Sequence, residues 1–178
     1  MDIENLTSTE ENCDIEKSFI SDNNGKITYN DVADFFLAFA NEFEEPITNL
    51  RLQKLVYYAQ AWYLANYGKS LFDADFEAWV HGPVIPALYY KYKIYSFKPI
   101  IADLSIEDIQ NGTDNEIFEY LNEVAEVYMP YTGYHMELMA HRELPWIAAR
   151  KGFEPDQSCH NIISKESMKQ YYGEKIKD

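Results

Sequence analysis

The sequence predicts an α+β fold, mainly α: a helical domain around a buried central helix at about 49–67, with a small β-sheet. Three patterns carry that expectation. Residues 49–67 are apolar around most of a helical circumference, and a helix apolar on most sides is buried on most sides. The segment before it places Val32, Phe35, Phe36, Phe39, Ala40 and Phe43 at i, i+3, i+4, i+7, i+8 and i+11, one broad apolar face. Between 76 and 80, Phe76, Ala78 and Val80 alternate with Glu77 and Trp79, which suits a short strand.

The elements follow in order. Thr28 with Asp31 forms a capping box that opens the Phe-rich helix, and Pro46 ends its pattern. Thr48 caps the central helix and Gly68 closes it. Leu52, Leu55, Val56, Ala59, Trp62 and Tyr63 form its main stripe, and Arg51 and Lys54 lie on a narrow polar strip suited to a salt bridge. The strand at 76–80 stops at His81-Gly82-Pro83. Pro86 then starts a helix over 86–95 that carries Tyr89, Tyr90, Tyr92 and Tyr95. Thr113 with Glu116 reads as a second capping box before Ile117, Leu121, Val124 and Tyr128, and Pro130 ends that helix. Further helices are expected at 133–143, from Pro145-Trp146, and at 165–172 behind Ser164. Short strands near 98–101 and 161–164 would complete the sheet. Residues 1–26 read as a flexible acidic leader, with a docking segment that orders on binding as the rival reading. Residues 27–178 read as one domain.

Composition narrows the function classes. Of 178 residues, 47% are hydrophobic and 16% aromatic, which excludes a mainly disordered chain. The formal net charge is -15, so nucleic acid and anionic membranes are poor partners unless the few bases are gathered. Lys91, Lys93 and Lys98 are gathered in this way, with no acid between His81 and Pro99. The stretch from Ile100 to Glu143 reverses the sign, with ten acids against Arg142 alone. Two cysteines, Cys13 and Cys159, are too few for a disulfide framework and read as free thiols. No apolar run reaches the roughly 18 residues of a membrane span, and the expected location is the cytoplasm.

No constellation for catalysis, metal or cofactor is expected. His135 and His141 are six apart, unlike the i, i+4 pair of a zinc helix. Cys159-His160 lacks a second couple at ligand spacing. There is no Gly-rich phosphate loop and no G-x-S-x-G elbow. His81, at the strand end beside Trp79, admits three readings: a turn fixed by a backbone bond, a general acid/base, or a partner contact. The tyrosines from Tyr89 to Tyr95 could stack on bases beside the lysines, pack half-buried, or form a protein interface.

Two longer motifs carry a resemblance. Thr48-Asn49-Leu50-Arg51-Leu52-Gln53-Lys54-Leu55-Val56-Tyr57-Tyr58-Ala59-Gln60-Ala61-Trp62 is followed by Phe76-Glu77-Ala78-Trp79-Val80-His81-Gly82-Pro83-Val84. Then come His141, Pro145-Trp146, Ile162-Ile163-Ser164-Lys165-Glu166-Ser167-Met168 and Tyr171-Tyr172. From about Tyr29 to Tyr172 the chain resembles the Panacea antitoxin domain, which includes phage-associated GepA-like and SocA-like proteins. It departs at Ala140, where the family usually has threonine, and near Tyr134, where the family tends to have tryptophan or a similar aromatic.

The resemblance implies a bacterial or phage protein that neutralises a cognate protein toxin by direct contact and has no catalytic residues. For SocA-like members it further implies delivery of the toxin to a ClpXP-type protease. The alternative is a phage-encoded inhibitor of a host nucleic-acid-processing or defence protein, its acidic face mimicking DNA phosphates. Partner-binding candidates are Trp79, His81, Tyr89, Tyr92, Lys93, His141 and Trp146. Neither a cofactor, a metal, direct nucleic-acid binding nor a membrane is expected.

Overall fold

The computed structural model describes residues 26–177. The acidic leader, apart from Lys26, lies outside the described residues. Eight α-helices and a two-stranded antiparallel sheet make up the described chain, a mainly α architecture of the α+β class. Helix α1 (Tyr29–Glu42) begins at the expected capping box, with Asp31 N–H donating to Thr28 and the Thr28 N–H to the Asp31 carboxylate. Its phenylalanines face inward except at the end: Phe35 and Phe36 are fully buried, whereas Phe43 is exposed.

Helix α2 (Asn49–Tyr67) is the centre of the molecule. Thr48 caps its start, and Gly68 ends it in the left-handed region at φ 69°. Helices α1, α5, α6 and α8 all pack on it. A second core of aromatics surrounds its middle: Tyr58 stacks on Tyr128 at 4.2 Å, and Tyr57, Tyr58 and Trp62 each meet Tyr172 edge-on. Such pairs add about 0.5–1.5 kcal/mol each beyond their area. At the centre of this group Glu143 is buried and accepts hydrogen bonds from Tyr172 at 2.6 Å and Tyr58 at 3.3 Å. Burial raises its carboxyl above the usual range, and the two hydroxyls pull it back.

The sheet departs from the expectation. Strand β1 (Glu77–Trp79) turns through Val80-His81 and returns as β2 (Gly82–Val84), with Ala78 opposite Pro83. A proline argued for a strand end, yet this position needs no donor. Ala78 turns its own N–H outward to Asn161 O and its carbonyl to Arg150, so the Ala78–Pro83 pair is not a hydrogen-bonded one. The anticipated strand near 161–164 is a single bridge from Ile162 to Glu77. The anticipated strand at 98–101 is not in the sheet. Pro99 bridges Thr48 instead, and Ile100 N–H donates to Ile47 O, tying the segment to the loop before α2.

Helix α3 (Pro86–Tyr92) is shorter than expected and tightens into a 3₁₀ turn over Lys93–Tyr95. Helix α4 (Ile106–Gly112) was not anticipated: it buries Ile109 alone, so it has no stripe to read. Helix α5 (Asn115–Tyr128) is capped by Asp114, not Thr113, because the Asp114 carboxylate already takes the N–H groups of Glu116 and Ile117. Helices α6 (Gly133–Ala140), α7 (Leu144–Ala149) and α8 (Lys165–Lys175) complete the domain. Among the described residues no helix is long and apolar enough to cross a membrane.

Candidate partner-binding face

The polar residues of α2 explain how a face is built on this core. Asn49, Gln53, Lys54 and Gln60 are all buried on a helix whose other residues, apart from Arg51 and Asn66, are apolar. Each reaches the backbone of the chain that follows. Gln60 takes the Leu71 N–H at 2.8 Å and donates to Phe72 O at 2.9 Å. Gln53 accepts from Ile85 N–H at 3.1 Å, and Asn49 donates to Tyr89 O at 3.0 Å. Lys54, expected in a salt bridge on a narrow polar strip, is completely buried and donates to Pro83 O at 3.1 Å. Arg51 does form the expected ion pair, with Glu45 at 3.1 Å. Buried polar groups require partners, and here the partners are the backbone at 71–72, the hairpin and the start of α3.

Gly82 is the point of closest approach. Its φ is +97°, and a Cβ placed there would lie 2.7 Å from Lys54 Cε and 2.9 Å from its Nζ. Only glycine supplies both the left-handed backbone and the space. Burial drives the Lys54 amine down from 10.5 to about 7, with the Glu137 carboxylate opposing that shift.

Helices α6 and α7 hold the other side of the hairpin. Glu137 sits 2.9 Å from His81 Nδ1, the glutamate mostly covered and the imidazole mostly exposed. His141 faces the Val80 backbone and stacks on Trp146 at 4.2 Å. Burial pushes its ring below the usual 6.5. Trp146 Nε1 donates to Trp79 O at 3.0 Å. Arg150, itself buried, donates to Ala78 O and to the carbonyls of Glu154, Pro155 and Gln157, and lies over the Trp146 ring.

The hairpin so fixed presents a continuous aromatic ridge. Trp79 meets Tyr89 at 5.0 Å and His160 at 5.8 Å. Tyr89 meets Tyr90 at 5.5 Å, and Lys93 Nζ lies 5.4 Å from the Tyr90 ring. Glu77 links the near end, accepting from Trp79 Nε1 at 2.6 Å and lying 2.7 Å from His160 Nδ1.

The seven candidates therefore divide. Trp79, His81, Tyr89 and Lys93 reach the surface, fully or in part. Tyr92 is buried and hydrogen-bonded to Asp34, Trp146 is buried under Trp79, and His141 is half-buried. These three support the face from beneath. Sequence reasoning missed Lys54, Gln53, Glu137 and Arg150. The available signal was the recurrence of polar residues at 49, 53 and 60 on a helix otherwise apolar on most sides.

In this mainly helical domain, buried polar groups hold a hairpin and an aromatic ridge at the surface. The chain belongs to the family described as "Antitoxin SocA-like, Panacea domain", whose pattern matches residues 52–147. That span contains Lys54, Gly82, Pro83, Glu137, His141 and Trp146. The chain is also 40% identical over 81 residues to the Antitoxin SocA of Caulobacter vibrioides (strain NA1000 / CB15N). The aligned part is 46% of this chain and 43% of that relative, so the chain spans under half the relative's length. No solved structure matches it significantly.

Proposed function

We propose that this protein is an antitoxin that neutralises a cognate protein toxin by direct contact through the ridge from His160 and Trp79 across Tyr89 and Tyr90 to Lys93, with His81 at its side. The observation that carries the reading is the rigid presentation of that ridge. Aromatic anchors held in place by buried hydrogen bonds bind without a large ordering cost. The relation to Antitoxin SocA supports the class of partner. Delivery of the bound toxin to a ClpXP-type protease is the finer form of this reading, and it predicts toxin turnover that stops when the protease is removed.

Co-expression with the product of the neighbouring gene tests it. Wild type should rescue growth and co-elute with that product, and Tyr89→Ala should weaken the complex by about 2 kcal/mol, roughly thirtyfold. A Tyr89→Ala protein that remains folded and rescues at wild-type dose would sink the assignment of the ridge. Absence of both rescue and complex would sink the antitoxin reading. Competition by duplex DNA for the same target would favour the acidic-mimic inhibitor.

A further inference from the structure

The three most exposed large apolar side chains among the described residues fall within one short segment: Ile94 at 88%, Ile101 at 82% and Phe97 at 81%. Tyr90, also exposed, joins them from the end of α3. The Tyr95 hydroxyl donates to Ile101 O at 3.0 Å, which folds the segment back on itself. Lys91, Lys93 and Lys98 are interleaved with these residues and are exposed. Such a patch on a chain of net charge -15 is an interaction surface for an acidic segment that also carries apolar side chains.

One segment of the same chain has that chemistry. Residues 1–25 hold Asp2, Glu4, Glu10, Glu11, Asp14, Glu16 and Asp22 against Lys17 alone, together with Ile3, Leu6, Ile15, Phe19 and Ile20. They join the domain at Lys26, four residues before Asn30, whose Oδ1 accepts from Lys91 Nζ at 3.0 Å; the same amine lies 3.9 Å from Asp34. An extended chain spans about 3.3 Å per residue, so ten residues of tether cover about 30 Å. A short tether also holds its end at roughly millimolar effective concentration, so weak contacts suffice.

We propose that residues 1–25 dock on the face formed by Tyr90, Lys93, Ile94, Phe97 and Lys98 of the same molecule, placing carboxylates on the lysines and Ile15, Phe19 and Ile20 on the apolar side chains. Tyr90 and Lys93 also end the aromatic ridge, so the docked segment competes with any partner that extends along the ridge. The docking itself is independent of the toxin reading and is measured on the isolated chain.

The test places a nitroxide on Cys13 of the full-length Cys159→Ala chain and reads amide signal loss by NMR. Losses concentrated on residues 90–101, and abolished in the Lys93→Glu/Lys98→Glu background, are the expected result. Losses spread evenly over the domain or centred elsewhere overturn the proposal, as do losses on 90–101 that survive the charge reversal. Mixing spin-labelled unenriched chain with unlabelled enriched chain separates the intramolecular case. Equal losses in that mixture mean that a second copy supplies the segment, which also overturns it. If the Cys159→Ala spectrum departs from wild type, Cys159→Ser carries the same measurement.

Discussion

The hairpin of residues 77–84 and the segment of residues 93–101 share one side of the molecule and are held in opposite ways. The hairpin is fixed by side chains from three other elements: Lys54 of α2, Glu137 of α6 and Trp146 of α7, with His141 and Arg150 from the residues that follow α6 and α7. The 93–101 segment bonds mainly within itself, through Ser96 to Lys93, Lys98 to Tyr95 and Tyr95 to Ile101, with Ile100 to Ile47 as its tie to the core. The first offers a pre-shaped surface. The second offers apolar area and charge without a fixed mould, the kind of surface that adapts to what covers it.

The sharpest way to break the contrast is Gly82→Val. A β-branched residue at φ +97° is strained, and its Cβ would lie 2.7 Å from Cε of the buried Lys54, whose end would have to shift. The expected loss is about 4 kcal/mol or more in chemical denaturation. A loss under about 1 kcal/mol would show that the hairpin tip lifts freely, and the contrast would fail.

This anchor was only half legible in the sequence. The helix boundaries of α1 and α2 were readable because capping residues and apolar periods are local signals, and Thr28, Thr48 and Gly68 act where their chemistry places them. The return strand was not, because Pro83 reads as a stop unless one knows that its neighbour Ala78 bonds to the other side. Lys54 read as a salt-bridge residue on a polar strip for a similar reason. A lysine's side chain is compatible with a polar strip or a buried hydrogen bond, and only the hairpin packed above it decides. Trp79 and His81 were legible as a surface corner because the Gly-Pro turn after them marks one, whereas Glu137 lies 56 residues from His81 and shares no local pattern with it.

The next effect is smaller and concerns pH. Between about 7 and 10.5 the Lys54 amine is neutral in the folded chain and protonated in the unfolded one. The unfolded state then binds more protons, so stability rises with pH across that window. The buried tyrosines, raised by desolvation, are protonated in both states well below 10 and add nothing there; as the pH nears 10 the unfolded tyrosines ionise and stability falls again. A one-proton difference between the two states is worth about 1.4 kcal/mol for each pH step of one, and less at the edges of the window. Unfolding free energy should therefore increase by about 2 kcal/mol between pH 7 and pH 9, before the unfolded tyrosines ionise. Lys54→Met, which keeps the buried chain and removes the proton, should flatten that slope. An equal slope in both proteins would mean that the amine is reached by water and that the hairpin is not sealed over it.

The smallest expected effect lies in the other region and sharpens the comparison most directly. Ile94 and Phe97 are nearly as exposed in the folded chain as they would be unfolded, so truncating them removes almost no burial. Ile94→Ser and Phe97→Ser should each change stability by no more than about 0.5 kcal/mol, the range of an ordinary surface substitution. The same changes should relieve the nitroxide effect from Cys13, since they delete the apolar half of the docking face while leaving Lys93 and Lys98 in place. A stability loss above about 1 kcal/mol from Phe97→Ser would mean that the ring is packed against the domain in solution. Residues 93–101 would then be a second anchored element, and the difference between a pre-shaped hairpin and an adaptable segment would disappear.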